Sequence, residues 1–311
     1  MLLKAIYAQL IALCLTALWL AISKRRSQLD SFLKILTITL LLLGLWLGGV
    51  WVYPPLYGLI IIGLIFLVLT RVHLRKLVSE TASWQTLISN FPVLVLIPIG
   101  SFLLWQGLLG RLAPKGESIA LAPPFKEAQG ICVLSGGVSP LLNFHIFPSD
   151  KPRDSAQTYG LDFIKLDPSG FRTRTGHTLN PKPKSAEHYA IFDVPVYAPC
   201  EGLVSEYENN LPDLPIGASD KTNTGGNGVV LQCSQYHVHM HHMKRGSVLP
   251  QLGETVKIGQ KIGTIGNSGN TIEPHLHLHA ETVVEPGNTN KHGRPVHMEF
   301  NGRFMARGDC F

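Results

Sequence analysis

Histidine is concentrated in two short stretches of the chain. Of the thirteen histidines, twelve follow residue 110, and seven of those fall in two groups. The groups are His237, His239, His241 and His242, then His275, His277 and His279. Alternate side chains of a β-strand point to the same face, so two histidines two residues apart lie about 7 Å from each other. Because neutral imidazole is the commonest zinc ligand, His275 and His277 could serve one metal site. The alternate residues His237, His239 and His241 could reach the same site, but we expect them on an exposed strand face.

The elements that must position these histidines are short and rich in β-branched residues. Such runs alternate with clusters of Gly, Pro and Asn, and no amphipathic helical window exceeds three turns. The runs cover residues 202–207, 228–233, 254–258, 261–265 and 275–279. Residues 127–311 are numerous enough for one hydrophobic core, and they predict a mostly antiparallel β domain.

A lone His-x-His motif is a weak signal, but this one closes a longer pattern. Glycines recur through residues 253–269, and the run ends in Pro274-His275-Leu276-His277. Together with the strand at 228–231 that precedes His242, this pattern resembles the lysostaphin-type or LytM-type zinc metallopeptidases, which cut peptidoglycan cross-links. The resemblance covers about residues 190–280 closely and residues 135–190 loosely.

The resemblance implies a role for each matched residue. His277 would bind zinc, and Asp162, in Tyr159-Gly160-Leu161-Asp162, matches the family's metal-binding aspartate. His242 and His275 would be the two catalytic histidines that do not bind the metal. A zinc ion so held lowers the pKa of water and polarises the scissile carbonyl, while the free histidines move the proton and stabilise the oxyanion. His279 stands where the family often has an acid, a place suited to supporting a ligand.

The second histidine ligand departs from the common pattern. The family usually has it four residues before the aspartate, where this chain has Thr158. In branches resembling the β-lytic enzymes it lies farther upstream, which makes His145 the candidate here. His177, His188 or no third protein ligand are the alternatives. The departure also keeps open a second hypothesis, a non-catalytic LytM-like scaffold or regulator of other cell-wall hydrolases.

Four of the five cysteines lie in the β domain, and only Cys14 precedes it. In an oxidising compartment they permit two disulfides, which can be paired in three ways. We favour Cys200 with Cys233 and Cys132 with Cys310, and buried unpaired thiols are the alternative.

The net charge of +6 does not indicate a nucleic-acid partner. Eight of the 27 Lys/Arg but only two of the 21 acids lie in residues 1–110, so the remainder of the chain is formally neutral. A phosphate-binding groove needs its bases clustered on a folded polar domain.

The basic residues instead flank long apolar segments. No charged residue occurs in 5–23, 35–70 or 81–110, and about 20 apolar residues cross a bilayer as a helix. The segments predict four transmembrane helices at about 4–22, 35–53, 56–70 and 91–110, with a turn at Tyr53-Pro54-Pro55. The first has no signal-peptide cleavage site before Lys24, so we expect it to be retained. Residues 1–110 are thus a predicted membrane anchor in the lipid bilayer, and 111–126 a linker.

Lysine and arginine sit in the two loops that four spans place on one side, which the positive-inside rule makes cytoplasmic. The β domain is then expected on the outer, periplasmic face of a bacterial inner membrane. The sequence as a whole predicts an α-helical membrane domain followed by a β metallopeptidase domain. Its expected function is a membrane-anchored zinc endopeptidase acting on peptidoglycan.

Overall fold

The computed structural model describes residues 2–51, 57–76, 83–146, 156–174, 183–284 and 292–311. The chain separates into two units, Met1–Leu109 and Gly110–Phe311. The first is helical and the second is built from β-strands.

Four helices make up the first unit. They are α1 (Leu2–Ile22), α2 (Gln28–Gly48), α3 (Tyr57–Arg75) and α4 (Ser83–Leu109). Among the described residues, three segments are long and apolar enough to cross a membrane: Gln28–Gly48, Gly58–Arg75 and Asn90–Leu109. Helix α1 supplies a shorter apolar stretch, Ile6–Ile22, so the predicted count of four spans is not confirmed. The predicted turn at Tyr53-Pro54-Pro55 lies outside the described residues.

Helix α2 begins seven residues before the predicted start at 35, and a buried ion pair explains the difference. The Ser27 hydroxyl caps the helix by accepting the Asp30 N–H at 3.0 Å. Lys34 Nζ lies 2.9 Å from Asp30 Oδ2 one turn later, and both side chains are buried. Because Asp30 and Lys34 are charged, the sequence predicted that the helix begins after them. In the structure they pair with one another within α2, so the helix includes both residues.

Contacts at the helix ends place two basic loops together. Arg25 Nη1 donates to the Leu74 carbonyl at 2.6 Å, and Lys76 Nζ donates to the carbonyls of Ala21 and Ser23 at 2.8 Å. The C-terminal ends of α1 and α3 therefore lie side by side. This is the arrangement expected of two loops on one side of a membrane.

The described part of the second unit contains twelve strands. They are β1 (Ser118–Leu121), β2 (Ile131–Ser135), β3 (Leu161–Lys165), β4 (Pro195–Tyr197), β5 (Gly202–Glu208), β6 (Asn227–Cys233), β7 (Tyr236–Met243), β8 (Thr255–Val256), β9 (Lys261–Thr264), β10 (Leu276–Thr282), β11 (Pro295–Phe300) and β12 (Arg303–Phe304). Ten strands form one sheet in the order β1-β11-β10-β7-β6-β5-β8, with β12 beside β11, β3 beside β10 and β2 beside β3. Strands β4 and β9 pair separately. The domain is mostly antiparallel, as the sequence predicted, with β1 and β11 pairing in parallel.

Strand β10 is buried on both faces, which is unusual for a strand with so many polar residues. Leu276, Leu278 and Ala280 pack into the hydrophobic core on one face. His277 and His279 alternate with them and are 4% and 3% exposed on the other face. The apolar face anchors the strand, and the buried polar face is free to carry chemistry.

The predicted linker over 111–126 is corrected by strand β1. Ile119 and Leu121 pair with residues of β11 and are buried at 9% and 4% exposure. Arg111 Nη1 also donates to Asp309 Oδ1 at 3.0 Å. Only two alternating apolar residues mark this strand in the sequence, and its partner lies far along the chain, so a local pattern could not identify it.

Two disulfides join the predicted pairs. Cys132 is bonded to Cys310, and Cys200 to Cys233. Cys14, in the first helix, is a free thiol.

Candidate metal centre

Asp162 lies at the centre of a histidine cluster because of strand register. On β3 it is the direct partner of His277 on β10. His277 Nδ1 lies 2.9 Å from Asp162 Oδ1, and His145 Nε2 lies 3.0 Å from the same oxygen. His275 Nε2 is 3.5 Å away from it. Three imidazoles therefore converge on one carboxylate oxygen.

A buried asparagine brings His145 to this point from a distant loop. Asn143 is fully buried, and its Nδ2 donates to the carbonyls of Gly137 at 2.9 Å and Thr158 at 3.0 Å. Its Oδ1 accepts the backbone N–H of His145 at 2.9 Å. Asn143 thus ties the loop that carries His145 to the turn that leads into β3. No motif in the sequence pointed to Asn143.

Arg307 supports the same loop from below. It is 5% exposed and donates to the carbonyls of Leu134 at 2.9 Å and Leu141 at 2.8 Å. Its guanidinium also lies 4.3 Å from the ring centre of Phe144, within range of a cation–π contact. Burial lowers the pKa of Arg307 to about 10. The Arg307 side chain therefore supports the loop that carries His145.

Gly160 leaves room for the two ligand rings. A Cβ atom built at this position would lie 3.1 Å from His277 Cε1 and 3.2 Å from His145 Cδ2. Both distances are shorter than ordinary van der Waals contact, which begins at about 3.5 Å. A side chain here would push the rings away from Asp162.

The three side chains of His145, Asp162 and His277 fit a metal ion. Their donor atoms all lie within 4.8 Å of one another. The two rings are 4.6 Å apart and inclined at 65°, so the in-plane lone pairs of their nitrogens converge. Two histidines and one carboxylate with a fourth position open are the donor set of catalytic zinc sites. The donor set and its geometry thus suit zinc.

The pKa values of His145 and His277 are shifted in opposite directions. Burial opposes ionisation of Asp162, but the charges of His145 and His275 and the hydrogen bonds from His145 and His277 hold its pKa well below the ordinary value. Burial also disfavours a charge on His145, and the Asp162 carboxylate outweighs it and raises that pKa. Burial lowers the pKa of His277 to about 4. Asp162 is therefore a carboxylate and His277 a neutral imidazole at neutral pH.

His242 reaches the cluster through an unusual backbone conformation. It follows His241 on β7, and regular alternation would send the two side chains to opposite faces. His242 has a φ of 66°, in the left-handed region, which breaks this alternation. Its ring lies 4.7 Å from that of His275 and 5.9 Å from that of His277. Both His241 and His242 therefore lie near the metal centre.

Backbone carbonyls orient the two histidines outside the ligand set. His242 Nδ1 donates to the Ser268 carbonyl at 2.9 Å, and His275 Nδ1 donates to the Glu273 carbonyl at 2.9 Å. With Nδ1 protonated, Nε2 of each ring is the nitrogen left for chemistry. Burial, followed by the neighbouring histidines, lowers the pKa of His242 well below its ordinary value, so this ring is neutral.

The alternatives for the third ligand divide clearly. His188 ends a short 3-10 helix, Ala186–His188, and does not belong to the groups of potential ligands found in the described residues. His177 lies outside the described residues. Thr158 contributes its carbonyl to Asn143. Of the candidates that the structure describes, His145 alone is brought to Asp162.

A second buried group lies behind His277 and was only partly foreseen. His239, His279 and Glu281 have donor atoms within 4.8 Å of one another and are 8%, 3% and 3% exposed. His279 Nδ1 lies 2.9 Å from His277 Nε2, and His239 Nε2 lies 3.1 Å from Glu281 Oε1. Sequence reasoning missed Glu281, although its alternation with His277 and His279 placed it on the same face of β10.

Part of this chain is similar to known proteins. Residues 186–297 match the model of Peptidase family M23. Over 122 residues the chain is 30% identical to the peptidoglycan DD-endopeptidase ShyC of Vibrio cholerae. That match covers 38% of this chain and 24% of the relative, so the chain spans about a quarter of the relative's length. The resemblance to lysostaphin-type and LytM-type peptidases is thereby confirmed.

Solved structures of similar proteins include two peptidases. A zinc-containing peptidase from Vibrio cholerae is 20% identical, with a TM-score of 0.30, over 54% of this chain and 41% of that one. Lysostaphin from Staphylococcus simulans is 21% identical, with a TM-score of 0.25, over 40% of this chain and 36% of its own.

The segment that matches the M23 family contains His242, His275 and His277. His145 and Asp162 precede it, so their assignment to the candidate metal centre depends on the distances given above.

Proposed function

We propose that this protein is a membrane-anchored zinc endopeptidase that hydrolyses peptide cross-links of peptidoglycan outside the cytoplasmic membrane. The observation that carries the proposal is the convergence of His145, Asp162 and His277, whose donor atoms lie within 4.8 Å of one another beside two further histidines. The M23 family match supports peptide hydrolysis, and the similarity to a peptidoglycan endopeptidase supports the substrate class.

The ligand atoms for zinc would be His145 Nε2, Asp162 Oδ1 and His277 Nδ1. Two neutral imidazoles and one carboxylate leave a divalent ion with net positive charge. When bound, zinc supplies Lewis acidity, which polarises a peptide carbonyl and lowers the pKa of water. Gly160 and Asn143 hold the ligand side chains at the spacing that this requires.

The two histidines outside the ligand set divide the proton transfer. His242 is neutral, and its Nε2 is free to take a proton from the attacking water because its Nδ1 is held by Ser268. His275 Nε2 faces the same point, 3.5 Å from Asp162 Oδ1. When His275 carries a proton on both ring nitrogens, its Nε2–H is positioned for donation to the carbonyl oxygen as that oxygen gains negative charge.

A surface pocket lies beside His241, the strand partner of His277. It has a volume of about 260 Å³, and its lining also includes Tyr207, Gly225 and Gly226. Glycines along its wall let a peptide backbone approach closely.

We further propose that the N-terminal helices insert in the inner membrane of a bacterium with the M23 domain on the periplasmic side. The basic residues within 24–34 and 71–76, at the ends of the helices, support this orientation. A reporter enzyme active only outside the cytoplasm should be active when fused after Phe311 and inactive when fused after Lys76. The reverse pattern would contradict the orientation and leave the chemistry of the site untouched.

The enzymatic proposal is tested with the full chain in detergent and isolated peptidoglycan. Purified protein should release soluble fragments, stop with chelator and recover with zinc. His277→Ala and His145→Ala should lose zinc and activity, whereas the matched control His188→Ala should keep both. Retention of zinc by His145→Ala would reassign that ligand.

The non-catalytic scaffold is the second candidate, and Thr158 at the usual histidine position favours it. It predicts that the purified chain binds peptidoglycan and releases no fragments at any zinc concentration. Wild-type protein that binds no zinc at neutral pH would refute the enzymatic proposal.

A further inference from the structure

The ligand His277 is held by a second histidine on its far side. Its Nδ1 faces Asp162 Oδ1 at 2.9 Å and is therefore the nitrogen available to a metal. Its Nε2 lies 2.9 Å from Nδ1 of His279. A neutral imidazole that binds a metal through one nitrogen carries its proton on the other. Nε2 of His277 must then donate, and Nδ1 of His279 must accept.

The tautomer of His279 follows from this hydrogen bond. With Nδ1 accepting, its own proton lies on Nε2. The ring stacks on that of His239 at 4.2 Å with an angle of 11° between the planes, and His239 Nε2 donates to Glu281 Oε1 at 3.1 Å. Glu281 Oε2 in turn accepts the Gly293 N–H at 3.1 Å. His279 is thus packed against a buried and hydrogen-bonded pair, which limits rotation of its ring.

The same geometry argues against a second metal ion at His239, His279 and Glu281. A metal ion lies in the plane of each imidazole that binds it. The rings of His239 and His279 are nearly parallel, so their in-plane lone pairs do not meet at one point. The rings of His145 and His277 are instead inclined at 65° to each other. Besides, the Nε2 proton of His279 occupies the lone pair that a second metal would need.

We propose that His279 is a positioning residue for the zinc ligand His277. It accepts the Nε2 proton of His277, fixes Nδ1 as the ligand atom and orients the ring toward Asp162. Because the acceptor is a neutral imidazole, it orients the ligand without adding negative charge next to the metal. This inference depends on the proposed zinc site at His145, Asp162 and His277.

The test compares zinc affinities of the full chain in detergent by competition with a chelator. His279→Leu removes the acceptor at similar volume, and loss of such a partner weakens metal binding about 10- to 100-fold. His279→Asn places its Oδ1 where Nδ1 of the ring was, and should restore the affinity to within about threefold of the wild type. The matched control is His237→Leu. His237 lies on the same face of β7 as His239 but does not contact His277, so this substitution should leave zinc affinity unchanged. Melting curves in chelator identify any variant that fails to fold.

A measurement on the wild type needs no substitution. With ¹⁵N-labelled histidine and bound zinc, the His277 ring should show its proton on Nε2, with a coupling across the hydrogen bond to His279 Nδ1. A proton on Nδ1, or none shared with His279, would overturn the inference.

The outcomes separate this inference from the function on which it depends. A wild-type chain without zinc affinity would refute the proposed function. A wild-type chain that binds zinc as tightly as His279→Leu would overturn only the role of His279. Two zinc ions per chain, one of them lost in His279→Leu, would replace that role by a second metal site.

Discussion

We expect Asn143 to link the stability of the β domain to the proposed binding of zinc. Three of its side-chain hydrogen bonds are 3.0 Å or shorter: to the carbonyls of Gly137 and Thr158, and from the N–H of His145. Each contributes about 1 kcal/mol, so Asn143→Ala should lower the free energy of unfolding by about 3 kcal/mol. The substitution also frees the loop that carries His145. If the full amount weakens the placement of His145, zinc affinity falls about 100-fold, since 1.4 kcal/mol corresponds to a factor of ten.

Asn227 offers a matched control. It is fully buried, donates to the carbonyls of Leu211 at 2.8 Å and Met243 at 3.2 Å, and accepts the Leu211 N–H at 2.9 Å. Asn227→Ala should therefore lower the melting temperature about as much as Asn143→Ala. It holds no zinc ligand, so chelator competition should give the wild-type zinc affinity. Equal zinc affinities for the two variants would refute the idea that Asn143 positions His145.

Three further predictions concern the β domain, and each is read from melting curves of the full chain in detergent. Leu121→Ala should lower stability by about 2–5 kcal/mol because this side chain is 4% exposed in β1. Leu112→Ala, at a site 60% exposed, should change little, and equal effects would restore the linker interpretation. Cys132→Ser opens a disulfide that spans 178 residues and should cost about 2–5 kcal/mol, whereas an unchanged melting temperature would show that the bridge adds no stability. Burial opposes ionisation of Glu281, but the hydrogen bond and charge of His239 outweigh it and lower its pKa. The stability from this carboxylate is thus present at neutral pH and lost as the pH falls from about 4.5 through the lowered pKa. In Glu281→Gln the melting temperature should fall less steeply as the pH drops below about 4.5. A fall as steep as that of the wild type would contradict the assignment.

The parts of the site that sequence reasoning located are those with a short-range signal. His275 and His277 share a strand face by simple alternation, and the Gly-rich run before them marks the turn into β10. Asp162 was matched through four residues, and register then sets it opposite His277. Sequence motifs and the alternation of side chains along a strand depend on neighbouring residues, so both can be recognised without a structure.

The parts that sequence reasoning missed depend on contacts between distant residues. Asn143 can join two segments because the loop at 139–146 folds over the turn before β3. No local sequence pattern shows that these two segments lie close together. Strand β1 finds its partner in β11 across most of the domain. Helix α2 begins early because Asp30 and Lys34 neutralise one another, which depends on their pairing and not on their composition.

The backbone conformation of His242 lowers the stability of the domain, whereas its imidazole is the group available for chemistry. A φ of 66° suits glycine or asparagine, and a histidine there costs of order 1–3 kcal/mol. Substitution by glycine would relax the chain at this position and remove the imidazole in the same step. Selection for thermal stability alone would therefore prefer glycine to histidine at this position, with loss of the imidazole.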